Sequence, residues 1–151
     1  LAKPPAKDRM AGTARFLSDG RIALVEFSPP RLKILDLLGR EQRGFNIRKG
    51  VLHIIGEPAT GQLALEFGEN MGPADRWVRR VLLVDLNSGQ ERVLGEDLTP
   101  IRPHSVDYWA LQGAPKPGSA ATQVFLTGDG SLVRLDYASG KTTRLLPREA
   151  R

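Results

Sequence analysis

Apolar positions in this chain fall in short alternating runs or brief unbroken stretches, each closed by a turn rich in Gly, Pro, Asp or Ser. That pattern specifies strands. Read this way, three units of four strands follow one another: 13–17, 21–27, 32–37 and 42–47; then 51–56, 62–68, 78–86 and 91–94; then 105–111, 123–127, 132–137 and 142–146. Helical periodicity is unconvincing throughout. The charged stretch 36–43 could form a helical turn, but Gly39 and Gly44 oppose it.

The units share a signature. Leu32-Lys33-Ile34-Leu35-Asp36, Val81-Leu82-Leu83-Val84-Asp85 and Leu132-Val133-Arg134-Leu135-Asp136 each end an apolar strand on Asp, followed by an apolar or aromatic residue, a Gly-bearing turn and a polar strand. Their aspartates lie 49 and 51 residues apart, at the upper end of the period of a four-stranded propeller blade. In Asn87-Ser88-Gly89 and Ala138-Ser139-Gly140 the glycine supplies positive φ, and Asp85 or Asp136 can accept bonds from the turn amides. Asp19-Gly20 and Asp129-Gly130 add hairpin signals, although at places that are not equivalent in their units.

Ser18-Asp19-Gly20-Arg21-Ile22-Ala23-Leu24-Val25, followed by Leu32-Lys33-Ile34-Leu35-Asp36 and Gly39, resembles an NHL-type or related six-bladed repeat. Arg102-Pro103-His104-Ser105, followed by Gly128-Asp129-Gly130 and the Asp136 turn, is similar to YVTN and lactonase-like blades. The resemblance spans about 13–146, with a long loop in the second unit and without the Trp-Asp signature of WD repeats. It implies an all-β, partial β-propeller of about three four-stranded antiparallel blades. An N-terminal arm covers 1–12, and the first blade 13–50. The second blade is 51–97 with an inserted loop at 69–77; the third is 98–147 with an inserted loop at 112–122, before a tail at 148–151.

Three blades do not close, because propellers close with roughly four to eight. Completion is expected as part of a longer propeller, by pairing of two copies into six blades, or by docking onto another protein's blades. A β-sandwich or barrel is the remaining architecture. The chain opens on Leu1, as a processed form or a fragment would. The compartment stays open, with periplasmic or extracellular placement preferred to cytoplasmic.

Composition narrows the function classes. With 40% apolar and 26% charged residues the chain is globular, and no apolar run reaches the roughly 18 residues of a membrane span. The absence of Cys removes disulfides, thiol nucleophiles and Cys-rich zinc sites. A net charge of +5 permits acidic partners, but the groups Arg76, Arg79, Arg80 and Arg144, Arg148, Arg151 are diluted by apolar and acidic neighbours. That dilution argues against a nucleic-acid face.

Catalytic constellations are sparse. The two histidines are His53 and His104, and no Gly-x-Ser-x-Gly, Walker lysine loop or Gly-x-Gly-x-x-Gly occurs. His53, in an apolar strand, reads as structural or half-buried, with a ligand role as the alternative. By the lactonase-like resemblance His104 would face a channel and bind a ligand, with Arg102 and Asp107 beside it in sequence; a structural His bonded to a loop carbonyl is the alternative. No third metal ligand is identifiable, so neither metal nor cofactor is expected. Asp36, Asp85 and Asp136 read as turn caps, and Asp129 lacks the carboxylate ladder of a calcium loop. Tyr108 and Trp109 would point to opposite faces of one strand.

Trp77, with Met71, Arg76, Arg79 and Arg80, has the composition of a protein-interaction hot spot. Alternatively Trp77 packs its own loop onto the blade. The expected function is a non-catalytic binding or scaffolding module that presents the loops around 69–80 and 112–122 to a protein partner. A propeller enzyme or small-ligand binder of the lactonase-like kind, using His104, Arg102 and Asp107, is the rival.

Overall fold

The computed structural model describes residues 12–73, 76–100 and 122–146. The described residues form twelve strands and no helix, so none is long and apolar enough to cross a membrane. The first sheet holds β1 (Thr13–Phe16), β2 (Ile22–Phe27), β3 (Pro30–Leu35) and β4 (Glu41–Asn46), in that order. The second holds β5 (Val51–Gly56), β6 (Gln62–Asn70), β7 (Trp77–Asp85) and β8 (Glu91–Leu94). The third holds β9 (Leu98–Pro100), β10 (Thr122–Thr127), β11 (Leu132–Asp136) and β12 (Thr142–Leu146). Every pairing is antiparallel and joins neighbours in sequence. The strand beside β10 is Leu98–Pro100; the stretch 105–111, expected there, lies outside the described residues.

The sheets stack face to face, and burial records the order. Along β2 and β3 of the first sheet buried and part-exposed residues alternate, with Ala23, Val25, Leu32 and Ile34 inward. In the third sheet Phe125, Val133 and Leu135 are buried while Leu126 and Arg134 are exposed. The middle sheet breaks the alternation: Leu63 to Gly68 and Val81 to Val84 are buried without interruption. A strand covered on both faces reads as a continuous apolar run, and Val81-Leu82-Leu83-Val84 is one. Leu63, Leu65, Phe67, Leu82 and Val84 pack on the first sheet. Ala64, Val81 and Leu83, on the opposite face, pack with Leu98, Phe125, Val133 and Leu135 of the third. This is an all-β stack of three four-stranded sheets, an arrangement compatible with three blades.

Polar contacts fasten each junction at its rim. The Ser18 hydroxyl donates to the Glu57 carboxylate, and Arg48 reaches Glu91 at 3.4 Å. Arg43 on β4 donates to the Asn87 carbonyl in the β7–β8 turn of the middle sheet. Arg92 on β8 in turn donates to the Ala138 carbonyl in the β11–β12 turn of the third, at 3.2 Å.

The repeated aspartates hold these turns from within. Asp85 Oδ1 accepts the Ser88 and Asn87 amides at 2.9 and 2.8 Å, and Asp136 Oδ1 those of Ser139 and Ala138 at 3.0 and 2.9 Å. Asp36 accepts from Arg40 and Leu38, both at 2.9 Å. Gly89 and Gly140 close the two longer turns at φ 74° and 72°. The amide donors favour the carboxylate form, so all three carboxyls lie below their ordinary value of 3.8. A carboxyl depressed by folding adds stability above its unfolded value and loses that stability as pH falls through the folded one. Acid unfolding is therefore expected to set in below about pH 4. Asp85→Asn, which keeps an acceptor without a titrating proton, should flatten the acid limb of the Tm–pH curve; Asp85→Ala should lower Tm at neutral pH. An unchanged acid limb in Asp85→Asn would show that these turns do not govern the transition.

Candidate functional site

The tip of the β6–β7 hairpin is built from ladder pairs rather than from an inserted loop. Glu69 pairs with Val78 and Asn70 with Trp77, so the strands run further than the apolar pattern extends. The Met71 amide then donates to the Arg76 carbonyl at 2.8 Å, so the strand pairing reaches into the stretch 69–77 where the sequence reading expected a loop.

Period-two geometry sorts the five expected residues onto different surfaces. Trp77 and Arg79 share the face that, deeper in the sheet, carries Val81 and Leu83 toward the third sheet. Arg80 points to the other face with Val78 and Leu82. Its guanidinium lies 3.7 Å from Glu69, and its Nε is buried with no hydrogen-bond partner. Met71 and Arg76 flank the turn, both exposed, and Arg76 lies 3.8 Å from Asp97. Met71, Arg76 and Trp77 thus form one apical group, Arg79 continues it down one face, and Arg80 is separated from it.

Trp77 is 67% exposed yet held in place. Its ring lies over Gly68, so close that a Cβ there would meet ring carbons at 3.1 Å. Glycine at 68 leaves room for the six-membered ring of the indole beside the neighbouring strand. Trp77 thus packs on its own hairpin while remaining largely open. Beneath it Arg79 Nη1 reaches Glu66 Oε1 at 2.8 Å, and Glu66 is fully buried. The sequence reading did not single out Glu66. Its signal was a lone carboxylate in Leu63-Ala64-Leu65-Glu66-Phe67 with an arginine on the adjacent strand.

The other candidates fall elsewhere. His53 is exposed, not half-buried: register shifts on both sides of its pairing with Glu66 break the alternation that would have tucked it in. Arg102, His104, Asp107, Tyr108 and Trp109 lie outside the described residues, as does the loop 112–122 up to Thr122. Asp129 bonds the Thr127 hydroxyl and the Ser131 amide, which lower its carboxyl to about 2. It belongs to a turn, as its sequence suggested. Among the described residues no group of three His, Asp or Glu is placed to hold a metal. No protein-family model matches the chain, and a search of curated proteins finds no match.

Proposed function

We propose that this chain is a non-catalytic binding module of propeller type, an incomplete stack of blades that joins further sheets and offers the β6–β7 hairpin tip to a protein partner. The observation that carries the tip's role is Trp77: a large aromatic, 67% exposed, resting against Gly68, with Met71 and Arg76 flanking the same turn and Arg79 on the same face. A side chain already ordered before binding loses little entropy on contact, and Trp and Arg are the residues on which interface energy concentrates. A hairpin anchored in a doubly buried sheet is a rigid mount for such a group.

A photo-crosslinking amino acid in place of Met71 should trap a partner in cells, and Trp77→Ala should reduce that adduct roughly thirtyfold, equivalent to about 2 kcal/mol. An adduct of equal yield in the Trp77→Ala background would remove the tip from the binding surface.

A further inference from the structure

The chain makes one kind of sheet junction twice and carries both halves of a third. At each interior junction the residue after the turn aspartate is buried against the preceding sheet: Leu86 is 1% exposed and Tyr137 4%. An arginine on the fourth strand of that preceding sheet then closes over the same turn, Arg43 onto Asn87 and Arg92 onto Ala138. The first sheet has the same turn, with Leu37 following Asp36, but no described sheet lies before it. There Leu37 is 71% exposed and its neighbour Leu38 78%. The exposed Phe16 stands on the same face as Ile22 and Leu35, its successive ladder partners. An apolar residue that is buried in two equivalent turns and bare in the third marks a junction awaiting its other half.

The third sheet carries that other half. Its outward face bears Val124, Leu126, Leu132 and Arg134, where the corresponding faces of the first and middle sheets pack on a following sheet. The arginine also recurs. Cross-strand pairs Ile34–Arg43 and Leu83–Arg92 precede the two interior junctions, and their counterpart in the third sheet is Arg134–Thr143. One arginine per pair is kept, moved one strand inward. The first sheet's open face answers it with the carboxylates of Glu26 and Glu41, which lie beside Lys33 at 2.8 and 4.0 Å, Glu41 also meeting Arg31 at 2.8 Å.

We infer that the occupant of the first sheet's open face is the third sheet of a second copy of this chain. Two such junctions, related by a two-fold axis, join two three-sheet stacks into a ring of six, within the range at which propellers close. The inference rests on the reading of the chain as an incomplete stack but not on the Trp77 tip. Because Arg134 faces the carboxylates of Glu26 and Glu41 in this junction, where the interior junctions are apolar, it is more easily weakened by salt than those within the chain.

Light scattering over a concentration series should give a mass of twice 16.5 kDa, falling toward 16.5 kDa in high salt and in Leu37→Asp at low salt. Leu37 is a surface turn residue, so Leu37→Asp should keep the wild-type circular dichroism. The chain has no Cys, so single introduced thiols are unique handles. A short bismaleimide should join Leu38→Cys chains to Thr143→Cys chains when mixed, and neither variant to itself. A monomer at every concentration overturns the inference, as does a dimer insensitive to Leu37→Asp or crosslinked by Leu38→Cys alone. Trp77→Ala should leave the mass unchanged, which keeps this junction separable from the hairpin tip.

Discussion

Phe67→Ala is expected to cost about 3–5 kcal/mol, a large share of the roughly 5–15 kcal/mol that holds a domain of this size folded. Phe67 is fully buried on the face of β6 that meets the first sheet, in ladder register with Val51 and with the Arg48 guanidinium 5.2 Å from its ring centre. Phe67 lies in the packed layer between the first and middle sheets, so a cavity there collapses only in part. The contrast is Leu24→Ala, on the open face of the first sheet, where water already reaches the side chain. There the expected loss is below about 1 kcal/mol in dilute protein. Urea midpoints of the two variants test this directly. Equal losses at concentrations where the chain is monomeric would mean that the first sheet's outer face is as dry as the layer around Phe67, and the stacking order argued from burial would be wrong.

Much of that order was already written in the residues. The turn aspartates and their glycines delimited most strands to within a residue or two, because hairpin chemistry is local and leaves little choice. Val81-Leu82-Leu83-Val84 is an unbroken apolar run, whereas Lys33 and Arg134 interrupt the matching strands. That difference separates a doubly covered sheet from two end sheets. The hairpin tip was harder. Glu69 and Asn70 extend the ladder through backbone pairing with Val78 and Trp77, and their polar side chains carry no strand periodicity, so the stretch read as a loop. Arg79 and Arg80 were grouped because they are adjacent, although in a strand adjacency places them on opposite faces. The burial of Glu66 depends on which sheet covers its face, a long-range fact that no local window contains. Leu37 and Leu38 show the converse: their exposure gains meaning only beside the buried Leu86 and Tyr137.

The ion pair under the hairpin tip should behave as one unit. Arg79→Leu removes the charged partner seen on a carboxylate that is fully buried, while Arg79 itself is 48% exposed. For a pair buried at both ends, losing one partner costs about 3–5 kcal/mol. Water shares the arginine end here, so a loss of about 2 kcal/mol is expected. Replacing Glu66 as well, in Glu66→Leu/Arg79→Leu, removes the buried charge itself. It puts apolar volume on the face that already holds Ala64, Val81 and Leu83. The double variant should therefore recover most of the loss and lie within about 1 kcal/mol of the wild type, a non-additivity that a double-mutant cycle in urea would measure. Simple addition of the two single losses would mean that each residue contributes through its own packing. Recovery would show that the pair's contribution is positional, since Arg79 lies on the same face as Trp77. In that case Glu66→Leu/Arg79→Leu should fold normally yet weaken the Met71 photo-adduct, while Leu24→Ala leaves it intact.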